Sequence, residues 1–146
     1  MRKGEIYSLR WDQVDLPNRL IRIINGKSEK SDRHIPMNDV VFELLSNLSQ
    51  RHDSEFVFPN LRKADERFRD PKVGFAKAVR LAKIPHLRFH DLRHTFATRL
   101  VGVGVDLVTV QDLLGHSTII MTTRYAHPLA DVKIAAVKRL EFAGVR

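Results

Sequence analysis

Tyr125 is one of two tyrosines in the chain and lies in Thr123-Arg124-Tyr125-Ala126-His127-Pro128, nine residues beyond His116. Upstream, His90-Asp91-Leu92-Arg93-His94 sets His90 and Arg93 three apart, so that on a helix they share one side. These residue types fit metal-free attack on a phosphodiester. That chemistry needs a nucleophile, cations where negative charge builds on the phosphoryl oxygens, and an acid for the leaving oxygen. A phenol keeps its proton up to about pH 10, so it attacks well only where nearby cations favour the phenolate. Arginine holds two phosphate oxygens in its planar fork and never loses its charge, whereas lysine or histidine can give up a proton. A helix opening at Asp91 adds free amide groups that also attract an anion.

Each fragment alone has a plainer reading. Arg93 could pair with a carboxylate while His90 caps its helix, and an isolated Tyr125 would be a half-buried core phenol. His90 and His94, at i and i+4, could be two metal ligands, although no Glu completes the zinc-protease arrangement. With no cysteine, disulfides and thiolate metal sites are excluded, and seven histidines and the carboxylates are the metal ligands left.

The formal charge of +8 calls for an anionic partner, nucleic acid first and an acidic membrane surface second. The charge concentrates between Arg62 and Arg93, where ten Lys or Arg face four acids. A solvated helix face is the bland account of such a run, and phosphate contact is favoured only when neighbouring segments carry matching chemistry. No apolar run approaches the roughly 18 residues that span a bilayer, and Met-Arg-Lys-Gly-Glu is no signal core, so a cytoplasmic protein is expected. Hydrophobic residues at 43% and charged residues at 29% describe a chain that folds, and 146 residues without repeats or linkers make one domain, 1–146.

The elements that must position these side chains can be read in outline. Gly4 to Trp11 reads as the end of a helix whose earlier part is missing, which predicts a fragment of a longer protein. Leu20 to Asn25 and Arg33 to Met37 predict a β-hairpin with Lys27 and Lys30 at its tip. Asn38 caps a helix with Val41, Leu44, Leu45 and Leu48 as its apolar stripe. Glu55 to Phe58 is a short strand candidate closed by Pro59 and Asn60, and Pro71 opens a helix to about Lys83 with Phe75, Ala78, Val79 and Ala82 inward. Helices follow at about Asp91 to Val101, at Asp106 to Leu114 between an Asp106 cap and a Gly115 stop, at Ser117 to Tyr125 capped by Ser117, and at about Leu129 to Phe142.

In chain order, Arg2-Lys3-Gly4-Glu5, the Lys27 hairpin, HDLRHTFATRL at 90–100, LLGHS at 113–117 and TRYAHP at 123–128 resemble the tyrosine recombinases of the phage integrase family, over almost the whole chain. The resemblance implies an α+β, mostly helical tyrosine recombinase catalytic-domain fold with a small antiparallel sheet near the N-terminus. It also implies that an N-terminal DNA-clamping domain and the first catalytic-domain helix are missing from this fragment. By the same resemblance the catalytic set is Arg2, Lys27, His90, Arg93, His116 and Tyr125. Arg2, supported by Glu5, and Arg93 grip the phosphate, and His116 is a further donor. Tyr125 attacks, His90 is the general base or a proton relay, and Lys27 is the acid. The segment Lys27 to Pro36 is one residue longer than the family's common spacing, which keeps Lys30 as a second candidate. The implied product is a 3′-phosphotyrosyl link with a free 5′ hydroxyl, so rejoining needs no ATP and no cofactor.

The family's partner is double-stranded DNA, bound by four protomers on two duplexes, a homotetramer formed from free monomers. Its work is site-specific recombination and integration of mobile elements. The apolar surface between Val132 and Leu140 would dock on a neighbour or pack in the chain's own core. Arg2 lies beside a free terminus, where fraying is expected, so the fold is expected to survive a truncation that the activity does not. Three rival readings stand beside this one, the first an inert binding module left by truncation. Asp106 to Tyr125 also fits the helix-turn-helix of a DNA-binding regulator without catalysis, and a type IB topoisomerase would use the same chemistry to relax supercoils.

Overall fold

Leu20–Ile23 alternates Ile21 and Ile23 inward with Arg22 outward, the period of a half-buried strand. In the computed structural model it is the centre of a three-stranded antiparallel sheet, β1 (Val14–Asp15), β2 (Leu20–Ile23) and β3 (Arg33–Pro36), with Ile21 opposite Ile35 and Ile23 opposite Arg33. The structure describes residues 1–24, 32–50, 53–60, 62–126, 133–134 and 137–138, so Lys27 and Lys30 lie outside the described residues. The hairpin itself is as expected. Before it run α1 (Lys3–Tyr7) and a 3₁₀ turn (Trp11–Gln13), and after it α2 (Asp39–Ser49), whose Asn38 cap accepts the Val41 amide at 3.0 Å.

The inner face of this sheet, with Leu9, Met37, Leu45 and Val57, forms the first core. On α2 the core-facing residues are Leu45 with Phe42 and Leu48, whereas Val41 and Leu44 face solvent. The expected stripe is thus rotated, because Phe42, Leu45 and Leu48 are spaced for a helix face as well as Val41, Leu44 and Leu48 are. Glu55 to Phe58 does not form a strand. It makes a single bridge from Phe56 to Arg10, and the Leu9 carbonyl accepts the Val57 amide at 2.9 Å. Pairing begins where the strand was expected to stop, as β4 (Pro59–Asn60) meets β5 (Lys63–Arg67).

The second half is helical: α3 (Lys72–Leu81), α4 (Asp91–Gly102), α5 (Leu107–Leu114) and α6 (Ile120–Thr123). On α3 only Phe75 and Val79 of the four expected inward residues are half-buried, and Ala78 and Ala82 are exposed. Phe75 meets Phe89, and Phe89 in turn meets Tyr7 at 6.0 Å, so an aromatic cluster ties α1 and α3 to the segment that leads into α4. Ala97, Val110, Leu114 and Tyr125 make the second core, where α5 packs on α4 and α6 and also touches β3.

The helix expected over Ser117 to Tyr125 is only the single turn of α6. Ser117 does not cap it; its hydroxyl meets Met121 Sδ at 3.8 Å, and the β-branched run Thr118, Ile119, Ile120, Thr122, Thr123 is a poor helix former. Of the helix expected at about Leu129 to Phe142, Lys133, Ile134, Val137 and Lys138 are helical, with Ile134 and Val137 exposed, and the remainder lies outside the described residues. Among the described residues no helix is long and apolar enough to cross a membrane.

Candidate active site

Three arginines from three distant elements converge on the C-terminal end of α5. Arg33 Nε donates to the Leu113 carbonyl at 3.2 Å, Arg93 Nη2 donates to the Leu114 carbonyl, and Arg2 Nη2 donates to the Gly115 carbonyl at 2.8 Å. The last carbonyls of a helix lack intrahelical partners and carry its negative dipole end, so this terminus is a natural anchor for cations. Local sequence sets both ends of α5. Asp106 Oδ1 accepts the Thr109 amide at 2.8 Å, and Gly115 turns the chain with φ +64. A Cβ on Gly115 would stand 2.6 Å from Arg33 Nη1, so glycine is required both for the turn and for the guanidinium packed against it.

Glu5 binds the cluster together. Its carboxylate accepts from Arg33 Nη2 at 2.8 Å and Arg2 Nη1 at 3.0 Å, and it caps α1 by accepting the Arg2 amide. Arg2, expected to fray, is therefore held by its backbone amide and by both terminal nitrogens of its guanidinium. The Arg33 and Glu5 side chains are 2% and 7% exposed, whereas that of Arg2 is 44% exposed, which makes the first pair the buried strut and Arg2 the accessible donor. Arg33 sits at the inward-facing end of β3 and was not a candidate from sequence.

Arg93 is buried and reaches a backbone carbonyl, so its plainer reading as partner of a neighbouring carboxylate does not hold. Its Nη1 is buried with no hydrogen-bond partner among the described residues. Burial, reinforced by Arg2 and Arg33, lowers the Arg93 pKa. His90 precedes α4, exposed, with its ring edge-on to His94 at 4.8 Å. Asp91, beside it, is occupied by Arg88, which donates to it from Nη2 at 3.0 Å and holds its pKa below the usual carboxylate range. Among the described residues no group of three or more histidine and acidic side chains could hold a metal ion.

His116 follows Gly115 directly. Its Nδ1 lies 2.9 Å from Oγ1 of the fully buried Thr122, which fixes the ring and leaves Nε2 for another partner. Desolvation first, then the fields of Arg93, Arg2, Arg124 and Arg33, push its pKa down to about 4. Tyr125, 8% exposed, closes the second core at the end of α6, with Arg124 Cζ 5.7 Å from its ring centre. Its hydroxyl lies 2.6 Å from Nδ1 of His94, not His90.

The structure thus brings Arg2, Arg93 and His116 to one end of α5, with His90 and Tyr125 joined to each other through His94. Sequence reasoning missed Arg33, Thr122 and, as a partner of Tyr125, His94. Only His94 carries a signal, its i+4 spacing from His90, and that spacing by itself does not point to Tyr125. The helix-turn-helix alternative loses its second helix, since the single turn of α6 is too short to lie in a major groove.

Residues 1–131 match the phage integrase family. A tyrosine recombinase of Thermosipho africanus is 34% identical over 96% of this chain and 50% of its own length. The structure of the Tn1549 transposon integrase in complex with a circular intermediate DNA superimposes with a TM-score of 0.81 at 25% identity, covering 96% of this chain and 54% of that one. The catalytic domain of bacteriophage HP1 integrase gives 0.67 at 31% identity, over 94% and 73%. The chain spans half or less of the length of the curated relatives named integrase or tyrosine recombinase that it matches. With sequence, fold and the order of its motifs in agreement, the chain belongs to the phage integrase family and has the fold of a tyrosine recombinase catalytic domain.

Proposed function

We propose that this chain is the catalytic domain of a site-specific recombinase that cuts and rejoins double-stranded DNA through a 3′-phosphotyrosyl bond at Tyr125, in recombination and integration of a mobile element. The observation that carries this reading is the arginine cluster on the end of α5 beside a buried tyrosine. Arg93 Nη1 is a charged donor without a partner among the described residues, and a phosphate oxygen would supply one. An uncompensated buried donor costs about 1–3 kcal/mol, more when charged, which favours an anion at this position. Arg2 is accessible enough to reach the same anion. Arg2, Arg93 and His116 would then stabilise the pentacoordinate phosphorus, each donor contributing about 3 kcal/mol in the transition state.

His90 stands one ring out from the phenol's own partner, in the place of a proton relay, and Lys27 serves as the acid for the 5′ oxygen by family resemblance. No cofactor enters this scheme. For assembly, four protomers on two duplexes are proposed, with free monomers in solution. A recess of about 410 Å³ on α4, lined by Leu92, Thr95, Phe96, Arg99, Leu100 and Val103, offers an apolar surface for a neighbour's C-terminal helix.

The test uses the full-length protein carrying this chain and a random-sequence pool of nicked duplex DNA, from which cleavage lets the small fragment diffuse away. An adduct that resists detergent is expected from wild type and not from Tyr125→Phe. An adduct that persists in Tyr125→Phe, or binding with no adduct from wild type, overturns the reading, the latter in favour of a non-catalytic DNA-binding protein.

A further inference from the structure

The phenol oxygen of Tyr125 has one short contact to a titratable side chain among the described residues, Nδ1 of His94 at 2.6 Å. That distance is a hydrogen bond shared by two groups that can both carry its proton. The pair is well fixed. Tyr125 is held in the second core, and His94 occupies the second turn of α4, immediately after buried Arg93. The groups facing His94 are Asp91 on α4, His90 and Arg88 just before that helix, and Arg124 and Tyr125 at the end of α6. Desolvation, then His90 and Arg124, lower the His94 pKa, which favours the neutral imidazole that can accept.

From this geometry we infer that His94 is the proton acceptor for Tyr125, a catalytic residue beyond the six that the family resemblance supplies. The inference rests on the proposed function of Tyr125 as nucleophile. As the phenol oxygen bonds to phosphorus, its proton passes to His94 Nδ1. The bond from phosphorus to the 5′ oxygen breaks, its electron pair goes to that oxygen, and the acid of the site protonates it. In rejoining, the 5′ hydroxyl bonds to phosphorus and gives its proton back to the conjugate base of the same acid. The bond from phosphorus to the phenol oxygen breaks with its electron pair going to that oxygen, and the His94 imidazolium returns the proton to the phenol. His90, edge-on to His94, stands one ring further from the phenol.

Two measurements test this. In the ¹⁵N-labelled chain, His94 is expected as the Nε2–H tautomer with a hydrogen-bonded Nδ1, and Tyr125→Phe is expected to shift that Nδ1 resonance; no shift overturns the contact without any activity being needed. In the full-length protein, on nicked duplexes recovered from the pool, His94→Gln is expected to slow adduct formation by about 10²–10⁴-fold, the usual range for a positioned base, and to remove the acid limb of the pH profile. A DNA whose scissile 5′ oxygen is replaced by sulfur needs no acid for its leaving group, so it should restore Lys27→Ala and not His94→Gln. Rescue of His94→Gln by that substrate, or His94→Gln and His94→Asn both cleaving within about threefold of wild type, overturns the inference while leaving the function of Tyr125 intact. Absence of any Tyr125 adduct from wild type overturns the proposed function and this inference together.

Discussion

Replacing Glu5 with Gln keeps the shape of the central strut and removes its charge. Arg33, 2% exposed in its side chain, would then be a buried cation with no counter-ion among its described contacts to Glu5 and the Leu113 carbonyl. Breaking one partner of a buried pair costs about 3–5 kcal/mol. The Arg2 contact adds little to that figure, because Arg2 is 44% exposed and an exposed pair contributes roughly 0–1 kcal/mol. Against a total stability of about 5–15 kcal/mol this is a large loss, and at about 2–4 °C per kcal/mol it lowers Tm by roughly 6–20 °C. Urea unfolding followed by Trp11 fluorescence and circular dichroism measures it. The double variant Glu5→Gln/Arg33→Met, which replaces the uncompensated cation with an apolar side chain, should recover most of the loss. A single variant within about 1 kcal/mol of wild type, or a double variant no better than the single, refutes the strut.

Gly115→Ala should destabilise by at least about 1–2 kcal/mol through its left-handed φ alone, and by more as Arg33 is pushed aside. Gly74→Ala, inside α3 with open space around its Cβ, should instead stabilise by about 0.5–1 kcal/mol, and equal signs in denaturant unfolding contradict the account. Thr122→Val keeps the buried volume and removes the hydroxyl at His116, so adduct formation should fall with stability changed by only about 1 kcal/mol; unchanged cleavage sinks the positioning role. Because the folded His116 pKa is near 4, below the unfolded value of 6.5, the unfolded chain binds more protons between those pH values. Stability from this group is present above about pH 6.5 and is lost as pH falls towards 4, and His116→Gln should flatten that part of the curve. Phe96→Ser, in the α4 recess, should weaken assembly of protomers on DNA by sedimentation while single-site adduct formation continues.

What was legible in the sequence is what local chemistry decides. Asp106 and Gly115 carry cap residues whose preferences need no tertiary context, and α5 starts and stops where they say. The β2–β3 hairpin follows equally from β-branched residues on either side of a polar stretch in the sequence. Arg33 was illegible because burial of an arginine depends on a carboxylate 28 residues away, and nothing in its neighbours marks it. The stripe on α2 held at Leu45 and Leu48 but not at Val41 and Leu44: two overlapping apolar rows satisfy the same period, and only packing chooses Phe42 over Val41. His94 was in view within HDLRHTFATRL, but its partner Tyr125 is 31 residues on, and only the fold brings the ring to the phenol.

Mass spectrometry of the adduct trapped on nicked DNA measures the central claim most directly. The expected result is a single tryptic peptide containing Tyr125 and carrying a 3′-linked nucleotide, with a free 5′ hydroxyl on the released strand. A nucleotide on any other residue, or a 5′-linked one on Tyr125, contradicts the account.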